Sequence, residues 1–465
     1  MQPYFSFEKE IWKSKENTTL TLCRFERFLD KPVVPRGPKG SPDEHALEGS
    51  TVIHDGEKFL MWYIGRRPPV KNPWAIANLI SVGFAESIDG IHWTKPRLNQ
   101  MNIPCGKAPN NVLANVSPSV YGAGVMKIGD EYVMSHFHPR GLKKEEPQTT
   151  FSMYRSKDGL HWKGSRKACI KEQHFEGASS FYWFAGKYWV AGQGVSPYYH
   201  MPDGRECGRV MVVYSSNDLK NWKRHPKPVF AYPIPRYFRE AGLQNHQGAS
   251  VENRGRIAIG MMGQFWPAGF TESVRSTWGL IYSYDGLGWQ EPFTAEPLLM
   301  PDETSWDSGM MLQSQGLYSR GDTGYFWYGG ASAAGGNGWS TTISIGICRI
   351  RRDGYAYLSS AGGNRSLLET NALTLRQADN SLYLNLQASS NDPVEVICHD
   401  ARTKKLLGSA RVTKSGVFVP AISLMARTPA TKVVVLRFVL HGKSRLYSFY
   451  LDKVIDPVEH LSNWK

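Results

Sequence analysis

Ser87–Trp93 reads S-I-D-G-I-H-W, and Ser156–Trp162 reads S-K-D-G-L-H-W. Divergent copies stand at Ser216–Trp222 (S-N-D-L-K-N-W), Ser283–Trp289 (S-Y-D-G-L-G-W) and Arg351–Tyr357 (R-R-D-G-Y-A-Y). The chemistry is that of a β-turn: Asp starts it, Gly supplies positive φ, and the aromatic anchors the returning strand. Strand-like runs precede the turns at Leu79–Ala85, Thr149–Tyr154, Val210–Tyr214 and Gly279–Tyr282. One such turn says little. Five at intervals of roughly 60–70 residues signal a propeller or another repeat array.

Working outward, a second motif lies upstream of each turn: E-G-S-T at Glu48, Y-G-A-G at Tyr121, E-G-A-S at Glu176, Q-G-A-S at Gln247 and Q-G-L-Y at Gln315. About a dozen residues later come a tight turn and an aromatic or aliphatic strand, as at Phe59–Tyr63, Tyr132–Ser135 and Tyr188–Ala191. Each repeat therefore predicts four strands. The expected fold class is all-β: a five-bladed β-propeller over residues 1–358, followed by a C-terminal β-sandwich over 366–465. Met1–Val34 is expected to lead in and supply an outer strand that closes the ring. Ser359–Arg365 (S-S-A-G-G-N-R) reads as the connector. The C-terminal strands carry no cluster of acid and base residues, which favours a structural role over glycan contact.

Composition agrees. The 465 residues include 45 Gly, 28 Pro, 15 Trp and 22 Tyr, a mix suited to short strands and turns. No apolar run is long enough for a transmembrane helix, and the start M-Q-P-Y-F-S-F-E-K-E has no signal-peptide core, so no membrane partner is expected. The compartment stays open between cytoplasm and secretion with a leader removed. Six widely spaced Cys without C-x-x-C pairs argue against a zinc cluster and a disulfide framework. No metal or cofactor is expected. Nucleic acid is not an expected partner, because the chain lacks a basic helix, zinc finger or RNA-binding signature. Oligomeric state is not legible.

Strand direction sorts the loops. Those joining second to third strands (66–78, 137–148, 193–208, 264–273 and 329–341) are long and share the face on which the inner strands begin. The opposite face has tight turns such as Asp55–Gly56 and Gly129–Asp130. Long loops on one rim of a rigid scaffold are where binding usually lies. Of the five inner-strand starts only Glu48 and Glu176 are carboxylates. Two carboxylates flanking a ligand are what glycoside hydrolysis needs: one protonates the leaving oxygen, the other attacks or activates water. The alternative is that each Glu merely caps backbone amides.

The stretch E-G-A-S-S-F-Y-W-F-A-G-K-Y-W-V from Glu176 is similar to the acid/base segment of glycoside hydrolase family 32. E-G-S-T-V-I-H-D-G-E-K-F from Glu48 occupies the place of that family's nucleophile segment. The related five-bladed family 43 uses the same blade positions for base and acid, and the C-terminal sandwich also resembles family 32. The resemblance implies a glycosidase with Glu176 as general acid and Glu48 as nucleophile or base, acting on a carbohydrate. Two departures stand out. Glu48 replaces the family's Asp, and Tyr121 stands where the family has a third carboxylate. Asp307, in S-W-D-S-G-M-M, is the candidate replacement, with a turn Asp as its alternative.

The formal net charge is +14, with Arg66, Arg67, Lys71, Arg140, Lys143, Lys144 and Arg205 in the rim loops. Such a rim concentrates anions, and Arg grips carboxylate or sulfate. An anionic glycan near Arg66, Arg67 or Arg140 is the expectation, against a merely solvated basic surface. His136, His138, His174 and His246 are candidates for binding sugar hydroxyls, as are Tyr121, Gln247, Gln315 and Trp266 around the mouth. Trp183 and Trp339 are further stacking candidates, with buried packing as the alternative. The competing function is a catalytically silent carbohydrate-binding propeller. A sialidase ranks below both, because its repeat separates Asp from Gly and its fold has six blades.

Overall fold

The computed structural model describes residues 2–68, 80–101, 110–117, 123–139, 149–164, 169–172, 175–195, 209–232, 244–266, 275–294, 296–331, 342–375, 379–425 and 433–451. The chain is all-β. A single 3-10 turn at Ala361–Gly363 is the helical element among these residues.

Five antiparallel units follow one another. Unit 1 is built from Ala46–His54, Phe59–Arg66 and Ile80–Ser87. Unit 2 comprises Ala123–Ile128, Glu131–Pro139, Thr149–Ser156 and Lys163–Gly164, and unit 3 Glu176–Phe184, Lys187–Val195, Arg209–Ser216 and Lys223–Arg224. Unit 4 comprises Gln244–Asn253, Ala258–Trp266 and Arg275–Ser283. Unit 5 comprises Met310–Arg320, Thr323–Ala331 and Ile343–Arg351, and its outer strand is Glu26–Arg27 from the N-terminus. The first strands touch in the order 1–2–3–4–5 and back to 1.

The D-G turns do more than reverse the chain. In unit 2, Ser156 Oγ accepts the Gly159 N–H at 3.0 Å while Asp158 Oδ1 takes the amides of Leu160 and His161 at 2.9 and 2.8 Å. Trp162 Nε1 donates to the Gly159 carbonyl at 3.0 Å, and Trp62 of unit 1 donates to the same oxygen at 2.8 Å. Unit 1 repeats this: Trp93 and, from unit 5, Trp327 both donate to Gly90 O, at 2.9 and 3.0 Å. These two turns thus rivet their units to the preceding ones. Gly159 sits at φ 75° with the Trp62 ring where a Cβ would go, so the position needs glycine twice over.

Apolar faces fill the space between units. Trp62, Val133, Phe181 and Val190 share one buried cluster, and Trp278, Met261, Phe326 and Tyr328 share another.

Beyond unit 5 lie two six-stranded sheets. One runs Gly416–Met425, Asp379–Gln387, Arg445–Tyr450, Ala356–Ser360, Thr18–Leu22, with Pro3–Phe5 also paired to Arg445–Tyr450. The other runs Trp12–Glu16, Arg365–Thr370, Val433–His441, Val394–Asp400, Leu406–Val412, with Leu373–Thr374 attached. Leu384 and Phe449 from the first meet Val396, Leu436 and Phe438 from the second in one core, with Trp12. The N-terminus therefore divides its work. Glu26–Arg27 closes unit 5 as expected of the lead-in, whereas residues 3–22 and Ala356–Ser360 belong to the C-terminal sheets, so the boundaries 1–358 and 366–465 separate strands that pair. Asp353, at φ 51°, joins the two bodies: Arg254 donates to both its oxygens at 2.5 and 2.6 Å, and Tyr450 OH to Oδ2 at 2.8 Å.

Candidate active site

In four of the five units the first strand carries an irregularity at the repeated motif; in unit 2 the motif begins outside the described residues. Gly49 and Ser50 stand opposite one residue of the second strand, as do residues 178–180, 247–249 and 314–316. These bulges explain the small residues of the motif: Gly49 has φ 56°, Gln247 φ 60° and Gly316 φ 114°. A Cβ on Gly316 would land on the Val52 carbonyl.

The bulges also reset which residues are equivalent. Glu48 lies opposite Ile64 and Glu176 opposite Gln193, each six residues past the residue closing the tight turn, Lys58 and Lys187. In units 4 and 5 that register is held by His246, opposite Gly263, and Leu312, opposite Gly329. Gln247 and Gln315, aligned with the carboxylates by sequence, sit inside the bulges instead. The Gln247 N–H donates to Gln193 Oε1 at 3.0 Å. The Gln315 side chain is spent on the Phe181 backbone.

Glu48 has a dedicated partner. Arg66 Nε lies 2.9 Å from Oε1, and Nη2 donates to Oε2 at 3.0 Å. The Arg66 side chain is 4% exposed and that of Glu48 24%, so the cation is buried while the carboxylate stays accessible. Ala46 pairs with Arg66 and Glu48 with Ile64, which puts Arg66 and Glu48 on one face of adjacent strands. Arg66 is therefore not a rim cation for an anionic ligand; it supports Glu48. Arg67 is half-buried and engaged.

Asp307 is also displaced from its expected role. It is 0% exposed; Arg27 Nε lies 3.0 and 2.9 Å from its oxygens, and Tyr328 OH donates to Oδ2 at 2.7 Å. Burial and the neighbouring Asp307 carboxylate push the Tyr328 phenol well above its ordinary range. This is a structural ion pair fixing the N-terminal strand of unit 5, nearer the turn-Asp alternative than a third carboxylate at the mouth. His136 departs from the rim too: it is 2% exposed, its Nε2 lies 2.7 Å from the Val116 carbonyl, and its ring packs 5.1 Å from Tyr154.

His246 does reach the mouth end of unit 4. Its ring stacks on Phe265 with centroids 5.4 Å apart, and the Arg209 guanidinium lies 4.4 Å from the same phenyl. Burial, then Arg209, pushes the imidazole down to about 3, so it is neutral at any working pH, and its Nδ1 has no hydrogen-bond partner among the described residues. Glu176, His138 and Trp266 have their backbones placed at the mouth ends of strands, while their side chains lie outside the described residues. Tyr121, Arg140 and His174 lie outside them entirely, as do Lys71, Lys143, Lys144, Arg205 and Trp339. Trp183 is 39% exposed on the turn face, away from the mouth.

Two amide residues, Gln193 and Gln313, are not singled out by the sequence motifs. Gln313 Nε2 donates to the carbonyls of His246 and Gly248 at 2.7 and 2.8 Å, holding the unit 4 bulge. Their signal is a polar residue inside a buried strand run, as in Y-W-V-A-G-Q-G. Among the described residues no cluster of His, Cys, Asp and Glu could hold a metal, the described cysteines are free thiols, and no helix is long and apolar enough to cross a membrane.

No family model and no curated protein matches this chain. Solved structures do. One described as a glycoside hydrolase aligns at 15% identity over 73% of this chain and 92% of its own, with a TM-score of 0.46. Another, from the GH130 family and described as targeting β-1,2 mannosidic linkages in Candida mannan, aligns at 14% over 71% and 94%, TM-score 0.47. The Bombyx mori GH32 β-fructofuranosidase aligns at 11% over 90% and 93%, TM-score 0.41. These neighbours are glycoside hydrolases.

Proposed function

We propose that this chain is a glycoside hydrolase: a five-bladed β-propeller, with the five units as blades, followed by a β-sandwich. The observation that carries the reading is the pairing of register. Glu48 and Glu176 stand at the same step of two first strands, two units apart in a ring.

The resemblance to family 32 assigns their roles. Glu48, gripped by Arg66, is the group that attacks or activates water. Glu176 is the general acid that protonates the leaving oxygen. Neutral His246 donates to or accepts from a sugar hydroxyl beside it. Retention or inversion follows from the carboxylate separation, about 5–5.5 Å against about 6.5–9.5 Å. The net charge of +14 supports an anionic glycan. With Arg66 committed to Glu48 and Arg67 engaged, that part of the reading rests on Arg140 and the remaining rim cations.

Glu176→Gln and Glu48→Gln decide the matter. Each should abolish turnover of an oligosaccharide with folding intact, and Glu176→Gln should hurt least on aryl glycosides, whose leaving groups need little protonation. Turnover equal to wild type in Glu176→Gln sinks the assignment. Binding without turnover in the wild type would instead identify the catalytically silent carbohydrate-binding protein.

A further inference from the structure

The turn end of unit 3, on the face opposite the mouth, is basic and unmatched. Lys187 opens the second strand, Lys220 stands in the D-L-K-N turn, Lys223 lies on the outer strand and Lys227 follows it. All four are exposed, and none has an ion-pair partner among the described residues. Elsewhere in the ring, Lys58 meets Glu86 at 2.5 Å, Lys95 meets Asp43 at 2.6 Å and Lys157 meets Asp130 at 3.6 Å.

Two carboxylates stand beside this surface, and their own turns take them up. Asp218 accepts the amides of Lys220 and Asn221 at 2.9 and 2.8 Å, and Asp285 of unit 4 accepts those of Leu287 and Gly288, both at 2.8 Å. Lys187 and Lys223 flank one imidazole. Ser215 pairs with both Trp189 and Lys223, and His225 stacks on Trp189 with centroids 5.4 Å apart. After burial, the two ammonium groups hold that ring below its ordinary range, against Asp285. At the inner end Trp183 is 39% exposed, with Tyr188 edge-on 4.5 Å away. Four strands at about 4.8 Å spacing make the strip ~14 Å wide.

We propose that this strip is a second carbohydrate site, where a carboxylated or sulfated polysaccharide lies across Lys187, Lys220, Lys223 and Lys227 with a sugar ring on Trp183. The class of occupant rests on the glycosidase reading above; the strip itself does not. Unmatched cations on one surface concentrate a polyanion, and an exposed indole offers a flat apolar face to the C–H side of a pyranose. Single-stranded nucleic acid is held by successive rings and arginine stacking, whereas the strip has one exposed ring and point-charge lysines; Arg224 beside it is half-buried and engaged. A polymer tethered here leaves the mouth free and raises the concentration of its own chain around the molecule.

Calorimetric titration with polygalacturonate compares the wild type with a variant combining Lys187→Gln, Lys220→Gln, Lys223→Gln and Lys227→Gln, its fold checked by circular dichroism. The variant should bind roughly tenfold or more weakly at about 0.05 M salt, with the difference gone near about 1 M. Trp183→Ala should weaken binding by roughly threefold or more. Equal affinity in the wild type and the fourfold variant overturns the site. Oligo-dT or neutral mannan bound as tightly as polygalacturonate overturns the occupant. Weakened binding in the variant without turnover of any glycan by the wild type removes the glycosidase reading and leaves the site standing.

Discussion

Glu252→Gln should abolish a fall in stability between pH 5 and 8 that the wild-type chain shows. Glu252 stands in the first strand of unit 4, and its Oε1 accepts the Leu317 N–H of unit 5 at 2.8 Å. Burial pushes the carboxyl from 4.5 to about 7, against the lowering pull of the Leu317 amide, Arg254 and the Gly316 amide. The folded chain therefore holds this proton more tightly than the unfolded chain. The stabilisation is fully present below pH 4.5 and is lost as pH rises through 7. At 1.36 kcal/mol per pH unit the gap is worth up to about 3 kcal/mol. Gln keeps an acceptor for Leu317 but cannot ionise. Urea unfolding of both proteins, followed by tryptophan fluorescence at pH 5, 6, 7 and 8, gives the difference at each pH. The variant should gain on the wild type by about 2–3 kcal/mol across that range. A difference that stays flat refutes the proposition that this carboxyl is folded in its protonated form.

Asp307→Asn should cost about 3–5 kcal/mol of stability by leaving Arg27 without its counter-charge, and residual folded enzyme should keep its kcat; a selective loss of kcat at unchanged stability would return Asp307 to the chemistry. Gly159→Ala should destabilise by roughly 1–3 kcal/mol, from positive φ and from contact with Trp62, read as a lowered urea midpoint. Arg66→Met should lower kcat by roughly tenfold or more on any substrate found, with circular dichroism unchanged, since it removes the charge that faces Glu48. Wild-type kcat in that variant would separate Arg66 from the mechanism.

What is legible in the sequence is what is local. The S-x-D-G-x-H-W copies predict their own geometry, because Ser, Asp, Gly and Trp all bond within seven residues, and Asp158 is held well below the usual carboxylate range by the His161 side chain and the turn amides, against the opposing pull of burial. The second motif is legible as a repeat but not as a bulge, since a bulge is defined by the partner strand. Hence Gln247 and Gln315 align with Glu48 on paper while the chain carries them past it. Residues 3–22 are the extreme case. Pro3 pairs with Tyr450 and Ser6 donates to the Tyr447 carbonyl, contacts that no window of neighbouring residues contains. Arg66 and Asp307 mislead for one shared reason. A charge reads as a solvated rim group or a site carboxylate until its counter-charge is known, and Glu48 and Arg27 reach them across strands. The same pairing that takes Arg66 from the rim sets it against Glu48, so the displaced cation and the partner of that carboxylate have a single physical origin.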